Sequence, residues 1–243
     1  MEELYMPTEL SLVIPVYNEK DNLALLTEKI FAVLKGKVDS FEIIYIDDGS
    51  TDGSSEILNE LASRFEVIKV YHFTQNNGQT AAFSAGFAKA VGKLVIAMDA
   101  DLQVDPADIL KLIPYSKDYD VVCGIRAKRE DSWVKKISSK IGNGVRNWLT
   151  HESISDTGCP LKLFKNEVVK SFYLFEGMHR FLPTLAKMNG FTVIEVPVAH
   201  YPRQHGYSKY GIGNRMWKGL KDALAVRWMQ QRKISYMFKS ENK

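Results

Sequence analysis

The chain contains few cysteines and no long apolar run. Of its 243 residues only Cys123 and Cys159 are cysteines, and neither belongs to a Cys-x-x-Cys pair or lies beside a histidine cluster. They suggest neither a disulfide framework nor a zinc site, and reduced cytosolic thiols are the expectation. No apolar segment approaches the ~20 residues of a bilayer-spanning helix, and residues 1–9 lack the regions of a signal peptide. We expect neither a leader nor a membrane-spanning anchor.

A small net charge hides a strong asymmetry. The formal net charge is +3, yet residues 200–243 carry ten Lys or Arg and two Asp or Glu, a local balance of +8, which leaves −5 for the first 199 residues. A basic tail on a mildly acidic body indicates an anionic partner such as phosphate, a membrane surface or nucleic acid. The alternative is an ordinary solvated helix face.

Apolar segments alternate with helical patterns along the first half of the chain, which predicts an α/β protein with a parallel sheet. With 45% hydrophobic residues, one core suffices for a single domain. Beyond Gly124 the pattern weakens, and residues 126–136 are expected to form a mobile basic loop leading into a helix that ends near Leu149. The predicted strands cover residues 10–14, 41–46, 67–73, 94–98, 120–124 and 192–196, and the predicted helices cover residues 21–34, 54–64, 78–90, a segment opened by Asp105 and Pro106, 178–189 and 213–238.

The most informative stretch follows the predicted strand at residues 94–98. Asp99, Asp101 and Gln103 come directly after it, at the strand end where open α/β sheets bind ligands. Carboxylate and amide oxygens suit a hard divalent cation such as Mg²⁺ or Mn²⁺, which in turn binds phosphate oxygens. An acidic loop that caps the next helix is the alternative for this motif taken alone.

The last predicted helix, residues 213–238, separates apolar from basic side chains at helical spacing. A basic amphipathic helix that carries tryptophan is typical of a membrane interface. Packing on the protein body with ordinary surface lysines is the alternative, and Arg227 and Gln231 interrupt the apolar face. The predicted apolar face holds Met216, Trp217, Leu220, Ala223, Leu224, Trp228, Ile234 and Phe238, and the opposite face holds Arg215, Lys218, Lys221, Arg232 and Lys233.

Four segments on successive strand ends together resemble glycosyltransferase family 2. They are residues 14–19, 47–54, 78–81 and 99–103, and the resemblance covers roughly residues 8–210. It implies a Rossmann-like nucleotide-diphospho-sugar transferase fold of the GT-A type, with a C-terminal amphipathic helical extension. Residues 1–210 would form the catalytic domain and residues 211–243 a basic tail at the membrane interface.

Within that family the chain looks most like the polyprenyl-phosphate sugar transferases, through residues 122–126, 156–158, 195–198 and 203–210. This resemblance implies inverting, metal-dependent transfer of a sugar from a nucleotide-sugar donor to dolichyl or undecaprenyl phosphate. The reaction would occur on the cytosolic face of a membrane. Many relatives continue into transmembrane helices where this chain ends, so attachment is expected from residues 213–238, from a membrane partner subunit, or from both.

The resemblance also assigns site residues. Transfer needs a cation and basic side chains to neutralise the charge that grows on the leaving diphosphate. The candidate ligands for Mg²⁺ or Mn²⁺ are Asp99, Asp101 and Gln103; Asp101 and Gln103 suit the metal best, and Asp99 would contact either the metal or the donor. A tyrosine can pack on the base, and carboxylates can accept from base N–H groups or ribose hydroxyls. The catalytic candidates are Asp101, Arg126 and Asp156. The donor-binding candidates are Pro15, Tyr17, Glu19, Ile46, Asp48, Asp99, Ala100, Asp101, Gln103, Arg126, Arg203 and Lys209.

Two mechanisms compete for Asp156. A hydroxyl acceptor on a glycan, glycolipid or protein would need a carboxylate base, whereas a polyprenyl phosphate, with a second pKa near ~6, is already largely deprotonated at neutral pH. Asp156 could then orient a substrate, or be a turn residue before Gly158. A non-catalytic nucleotide-sugar or membrane-binding module is a further alternative. Nucleic-acid binding is disfavoured because no recognition motif accompanies the basic tail.

Overall fold

The protein folds around a seven-stranded mixed sheet with helices on both faces. The computed structural model describes residues 8–126, 144, 147–150, 152, 154–202 and 212–234, with side chains of the last segment from residue 219 onward. The sheet order is β3-β2-β1-β4-β6-β5-β7. The strands are β1 (Leu10–Val16), β2 (Phe41–Asp47), β3 (Ile68–His72), β4 (Leu94–Ala97), β5 (Val121–Arg126), β6 (Lys162–Lys165) and β7 (Val193–Val198).

The first four strands confirm the predicted parallel arrangement. β1 pairs in parallel with both β2 and β4, and β2 pairs in parallel with β3. Crossover helices join them, so the carboxyl ends of these strands meet at one edge of the sheet. The helices are α1 (Lys20–Leu34), α2 (Ser54–Arg64), α3 (Gln79–Lys89), α4 (Ile109–Leu112), α5 (Asn166–Lys170), α6 (Leu182–Met188) and α7 (Ile212–Gln231), with 3₁₀ turns at Pro106–Asp108, Ile113–Lys117 and Met178–Arg180.

Strand β6 was not predicted from the sequence. It lies between β4 and β5 and runs antiparallel to both, with Lys162 opposite Ala97 and Cys123. Four residues with a lysine at each end are too short to show a strand period, which explains the omission. Because β6 is antiparallel, the segment that precedes it arrives at the same edge as the carboxyl ends of β4 and β5.

Two predicted helices are broken by proline. The helix predicted over residues 178–189 is a 3₁₀ turn followed by α6, separated at Phe181, whose φ is −112° and ψ 11°. Pro183 lies in the first turn of α6, where a missing N–H is tolerated, but it could not continue an earlier helix. The segment after Asp105 is divided into short helical pieces that include Pro114. Asp105 caps the first of them, accepting from the Ala107 N–H at 2.9 Å.

The core has two layers, one on each face of the sheet. Leu12, Leu26 and Tyr45 belong to one buried cluster, and Ile44 and Phe87 belong to the other. Both cysteines are buried free thiols. Burial raises the pKa of the Cys123 thiol to about 12, so this side chain behaves as a small apolar group rather than as a nucleophile.

Helix α7 buries only part of the apolar face that the sequence predicted for it. Ala223 and Val226 are buried against the Met178 region, whereas Leu224 and Trp228 are 51% and 61% exposed. The helix ends at Gln231 rather than at residue 238. Within the part of the chain that the structure describes, no helix is long and apolar enough to span a membrane. Residues 127–136 of the predicted mobile loop lie outside the described residues, and the division into domains at residue 210 stays a prediction.

Candidate active site

Two loops at the carboxyl edge of the sheet are fastened together. Asn18, in the loop after β1, has a left-handed φ of 53°. Its N–H donates to the Ser50 Oγ at 3.0 Å and its side-chain oxygen accepts from the Thr51 N–H at 2.8 Å. The next residue, Glu19, donates its N–H to the Ser54 Oγ at 3.0 Å. Asparagine tolerates this backbone conformation, and the clasp holds the loop after β1 against the loop after β2.

The first group of predicted donor-binding residues lies on these two loops and the strands before them. Pro15 and Ile46 are register partners across β1 and β2. Ile46 is fully buried, while Pro15, Tyr17 and Glu19 are partly exposed at the edge. These residues therefore come together, as the resemblance implied, and their contact with a donor stays a prediction.

Asp48 organises the segment that leads into α3. Its carboxylate accepts from the Asn77 N–H at 2.7 Å, the Gly78 N–H at 2.9 Å and the Asn76 Nδ2 at 2.9 Å. Burial raises the pKa of Asp48 above its ordinary value, the Asp47 carboxylate adds to the rise, and the two backbone N–H groups oppose it. Asp48 thus fixes the turn from which α3 starts, a role that the sequence did not show.

The neighbouring Asp47 is part of a separate network. It accepts from the Ser50 N–H at 3.0 Å and the Ser55 Oγ at 2.5 Å, and it lies 2.8 Å from the His72 Nδ1. Burial alone would raise the pKa of Asp47, but these hydrogen bonds outweigh it and hold the pKa below its ordinary value. These contacts fasten β2, α2 and β3 together and mark Asp47 as a structural carboxylate.

The acidic loop after β4 is a tight, partly strained turn. Leu102 has a left-handed φ of 58°, which costs a residue with a side chain about 1–2 kcal/mol, and its buried side chain holds it there. The Asp101 carboxylate accepts from the Gln103 N–H at 3.2 Å. Asp99 accepts from the Gln79 Nε2 at 2.8 Å. Gln79, the first residue of α3, was not among the predicted site residues, because only the fold brings it to Asp99.

The donor set of this loop fits a hard divalent cation. Asp99 and Asp101 supply carboxylates and Gln103 an amide oxygen, so every predicted ligand is oxygen, as Mg²⁺ and Mn²⁺ prefer. Ala100, between the two acids, is buried. Among the described residues no three His, Cys, Asp or Glu side chains converge as a metal cluster.

Arg126 and Asp156, both predicted as catalytic, form an ion pair. The Arg126 Nε donates to the Asp156 Oδ2 at 2.6 Å and the Nη2 donates to the Oδ1 at 2.7 Å. The pair is largely buried, with 13% and 8% of the two side chains exposed. At Gly158 a Cβ would lie 3.0 Å from the Arg126 Nη2, so this glycine leaves room for the guanidinium. Two parallel bonds fix the guanidinium in one orientation.

The chain returns to the acidic loop after β7. The Tyr201 N–H donates to the Gln103 carbonyl at 2.9 Å, and the Ala199 N–H donates to the Asp108 Oδ2 at 2.6 Å. Arg203 and Lys209, the other predicted phosphate contacts, lie outside the described residues. The edge thus brings together the carboxyl ends of β1, β2, β4, β5 and β7 and the segment before β6.

Comparison with known proteins decides the family. A sequence model described as glycosyl transferase family 2 matches residues 11–173. The chain belongs to glycosyltransferase family 2. An undecaprenyl-phosphate 4-deoxy-4-formamido-L-arabinose transferase from Edwardsiella ictaluri is 42% identical over 205 residues, covering 83% of this chain and 63% of that protein. A protein of the same name from Pectobacterium atrosepticum is 41% identical over 203 residues, covering 82% of this chain and 62% of that protein. The chain thus spans less than two thirds of these relatives.

Solved structures confirm the predicted fold. Glucosyl-3-phosphoglycerate synthase from Mycobacterium tuberculosis, in complex with Mn²⁺, UDP-glucose and glycerol 3-phosphate, superposes with a TM-score of 0.67 at 16% identity, over 94% of this chain and 82% of that one. The mannosyltransferase PcManGT from Pyrobaculum calidifontis, in complex with GDP-Man and Mn²⁺, superposes with a TM-score of 0.65 at 18% identity, over 96% of this chain and 66% of that one. The family 2 chain therefore has the Rossmann-like GT-A fold.

Proposed function

We propose that this protein transfers a sugar from a nucleotide-diphosphate donor to a polyprenyl phosphate, with inversion at the anomeric carbon. The observation that carries the proposal is the pairing of Asp156 with Arg126, in which both carboxylate oxygens accept from the guanidinium. If Asp156 took a proton from an acceptor hydroxyl, it would lose its charge, and both of these charge-assisted hydrogen bonds would be weakened. A phosphate acceptor makes no such demand, and the names of the 42% and 41% identical relatives support it.

The donor would lie along the carboxyl edge of the sheet. The base and ribose would contact Pro15, Tyr17, Glu19 and Asp48, and the Asp48-bound turn would hold that side of the pocket rigid. Gln79, fixed on Asp99 at 2.8 Å, would line the part nearest the sugar. Pre-formed contacts of this kind reduce the entropy that binding costs.

Charge at the diphosphate would be neutralised from two sides. Asp99, Asp101 and Gln103 would hold Mg²⁺ or Mn²⁺, which when bound supplies Lewis-acid stabilisation of the leaving diphosphate; both solved structures described above contain Mn²⁺. Arg126 would donate to the phosphate oxygens from the other side. Arg203 remains in the proposal because Tyr201, two residues earlier, contacts the acidic loop, and Lys209 remains by resemblance.

The bond changes then follow from the acceptor's ionisation. With a second pKa near ~6, a phosphomonoester is mostly a dianion at neutral pH. One of its oxygens forms a bond to the anomeric carbon while the bond from that carbon to the diphosphate breaks, and the nucleoside diphosphate leaves. No proton need move in this step. Asp156 would act by orienting Arg126 toward the leaving group.

A membrane surface would present the acceptor. Several large apolar side chains are exposed beside α7, where Gly177 packs close to Asp222 and the Gln230 side chain donates to the Thr150 carbonyl at 2.7 Å. With the +8 balance of residues 200–243, they suit an anionic bilayer. We place the protein on the cytosolic face as a peripheral protein, alone or with a membrane partner subunit. The exposed set is Trp148, Tyr173, Phe175, Leu224, Trp228 and Ile234.

A transfer assay tests the proposal. Purified protein is incubated with labelled nucleotide sugars, Mg²⁺ or Mn²⁺, and undecaprenyl phosphate in detergent, and the lipid is extracted into organic solvent. Label should enter the organic phase for one donor, and Asp101→Asn should abolish it. No transfer from any donor refutes the proposal, and label found instead on a hydroxyl acceptor supports the alternative reaction.

A further inference from the structure

Glu195 belongs to a motif that the sequence singled out and that the proposed reaction does not use. It lies in β7 directly opposite Cys123 of β5. Three residues further along β5, at its carboxyl end, is Arg126. Glu195 is therefore on the strand next to the one that carries the site arginine, and its side chain reaches back to the segment before β6.

The Glu195 carboxylate binds two successive backbone N–H groups. The Ser155 N–H lies 2.9 Å from its Oε1 and 3.0 Å from its Oε2, and the Asp156 N–H donates to the Oε1 at 3.1 Å. Hydrogen bonds with a charged acceptor are roughly twice as strong as neutral ones. Residues 154–158 form no helix or strand, so Glu195 supplies backbone contacts that regular structure gives elsewhere.

Asp156 is consequently held at two points. Glu195 binds its backbone N–H, and Arg126 binds both side-chain oxygens at 2.6 and 2.7 Å. The orientation of the guanidinium thus depends on where the Asp156 backbone lies, and that depends on Glu195. Catalytic geometry is sensitive to displacements of about 1 Å.

We propose that Glu195 is a positioning residue for sugar transfer: it clamps the backbone of Ser155 and Asp156, so that Asp156 holds Arg126 toward the donor diphosphate. This inference rests on the proposed function for the step that Arg126 assists. The clamp itself can be measured without that step.

Asp120 provides a matched control. Its carboxylate also makes hydrogen bonds beside the paired strands β5 and β7, since its Oδ2 accepts from the Thr192 N–H at 2.9 Å and its Oδ1 accepts from the Lys165 Nζ at 2.8 Å. It lies before the first residue of β5, at the opposite end of the strand from Arg126. Loss of strand attachment alone should therefore affect Glu195 and Asp120 variants alike.

Kinetics separate positioning from attachment. Glu195→Ala should lower kcat/KM about 10- to 100-fold, the scale of losing a group that orients a catalytic side chain. Glu195→Gln keeps an acceptor oxygen and should recover most of this, while Asp120→Ala stays within about twofold of wild type. In an Asp156→Asn background Glu195→Ala should cause little further loss, because it acts through Asp156. Equal losses in the Glu195 and Asp120 variants, or losses that multiply in the double variant, overturn the proposal.

Amide hydrogen exchange tests the clamp independently of chemistry. Peptides covering residues 154–158 should exchange faster in folded Glu195→Ala than in wild type. In Glu195→Gln they should exchange more slowly than in Glu195→Ala, and in Asp120→Ala they should exchange at the wild-type rate. Unchanged exchange in Glu195→Ala refutes the clamp even if wild type is active. Faster exchange with an inactive wild type means that the clamp is present and the proposed function has failed.

Discussion

Replacing Asp156 by Asn distinguishes an orienting carboxylate from a catalytic base. The side chain keeps its size but loses its charge and one of the two oxygens that accept from Arg126 at 2.6 and 2.7 Å. A hydrogen bond to a charged group is worth about 1.5–3 kcal/mol. At about 1.4 kcal/mol for each factor of ten, an orienting role predicts a loss of kcat of about 10- to 100-fold.

The dependence on pH gives the decisive readout. If the acceptor phosphate is the nucleophile, kcat/KM for both proteins should rise with pH up to the phosphate pKa near ~6 and then level off. Removing a general base lowers the rate about 10²- to 10⁴-fold. This range meets the loss of about 10- to 100-fold expected for an orienting role, so the size of the loss alone does not separate the two roles. A base would also carry its own titration, which Asp156→Asn would remove.

The assay follows label transfer to undecaprenyl phosphate between pH 5 and pH 8 at saturating donor. Titration calorimetry with the nucleoside diphosphate shows whether the variant still binds, and Asp120→Asn serves as the control with an intact site. A variant that binds both substrates normally, yet has no activity above background at any pH, would refute the orienting role and support a hydroxyl acceptor.

Three further predictions concern stability and membrane binding. The salt bridge and hydrogen bonds lower the pKa of Asp120 to about 2 from 3.8. The folded pKa is below the unfolded one, so the contribution of Asp120 to stability is present above about pH 4 and is lost as the pH falls through about 2. Asp120→Asn should therefore cost about 1–2 kcal/mol in urea unfolding at pH 7, about half of that at pH 3 and little below pH 2. Gly49→Ala should lower the free energy of unfolding by about 2 kcal/mol more than Gly36→Ala does. Both glycines have a left-handed φ near +71°, but only at Gly49 would an added Cβ meet backbone atoms, 2.6 Å from the Gln75 carbonyl carbon. Equal urea midpoints for the two variants would contradict this. Trp228→Ser should weaken co-sedimentation with phosphatidylglycerol vesicles about tenfold. Tyr115→Ser, which also replaces an exposed aromatic residue, should not weaken it. Equal vesicle binding by the two variants would exclude α7 from the membrane contact.

The sequence predicted the parallel half of the fold and the residues at its edge. Strands β1 to β4 each show an apolar run followed by a polar turn, and in parallel βα units such turns must meet at one edge. Tyr17, Asp48 and Asp99 could therefore be grouped without coordinates. The resemblance of these turns to glycosyltransferase family 2 is what implied a nucleotide-sugar site.

Contacts between distant segments were beyond the sequence. β6 has no readable period, so the position of the segment carrying Asp156 could not be derived. The Asp48 carboxylate accepts from the backbone N–H groups of residues 77 and 78, and the Glu195 carboxylate accepts from those of residues 155 and 156. Such side-chain-to-backbone bonds span about 30 and 40 positions and leave no local pattern. They decide which carboxylates organise the site and which are offered to a ligand.

The reversed direction of β6 links these observations. If β6 continued the parallel pattern after β5, the segment that leads into β6 would lie at the opposite edge, away from the proposed donor site. Because β6 runs antiparallel, its leading turn brings Asp156 to Arg126 at the carboxyl end of β5. A guanidinium has five N–H donors, and Asp156 uses two of them in its bidentate bonds, so the same group can serve a carboxylate and a diphosphate together. An arginine fixed in this way needs no reorganisation as charge develops on the leaving group, which is the condition for effective electrostatic stabilisation.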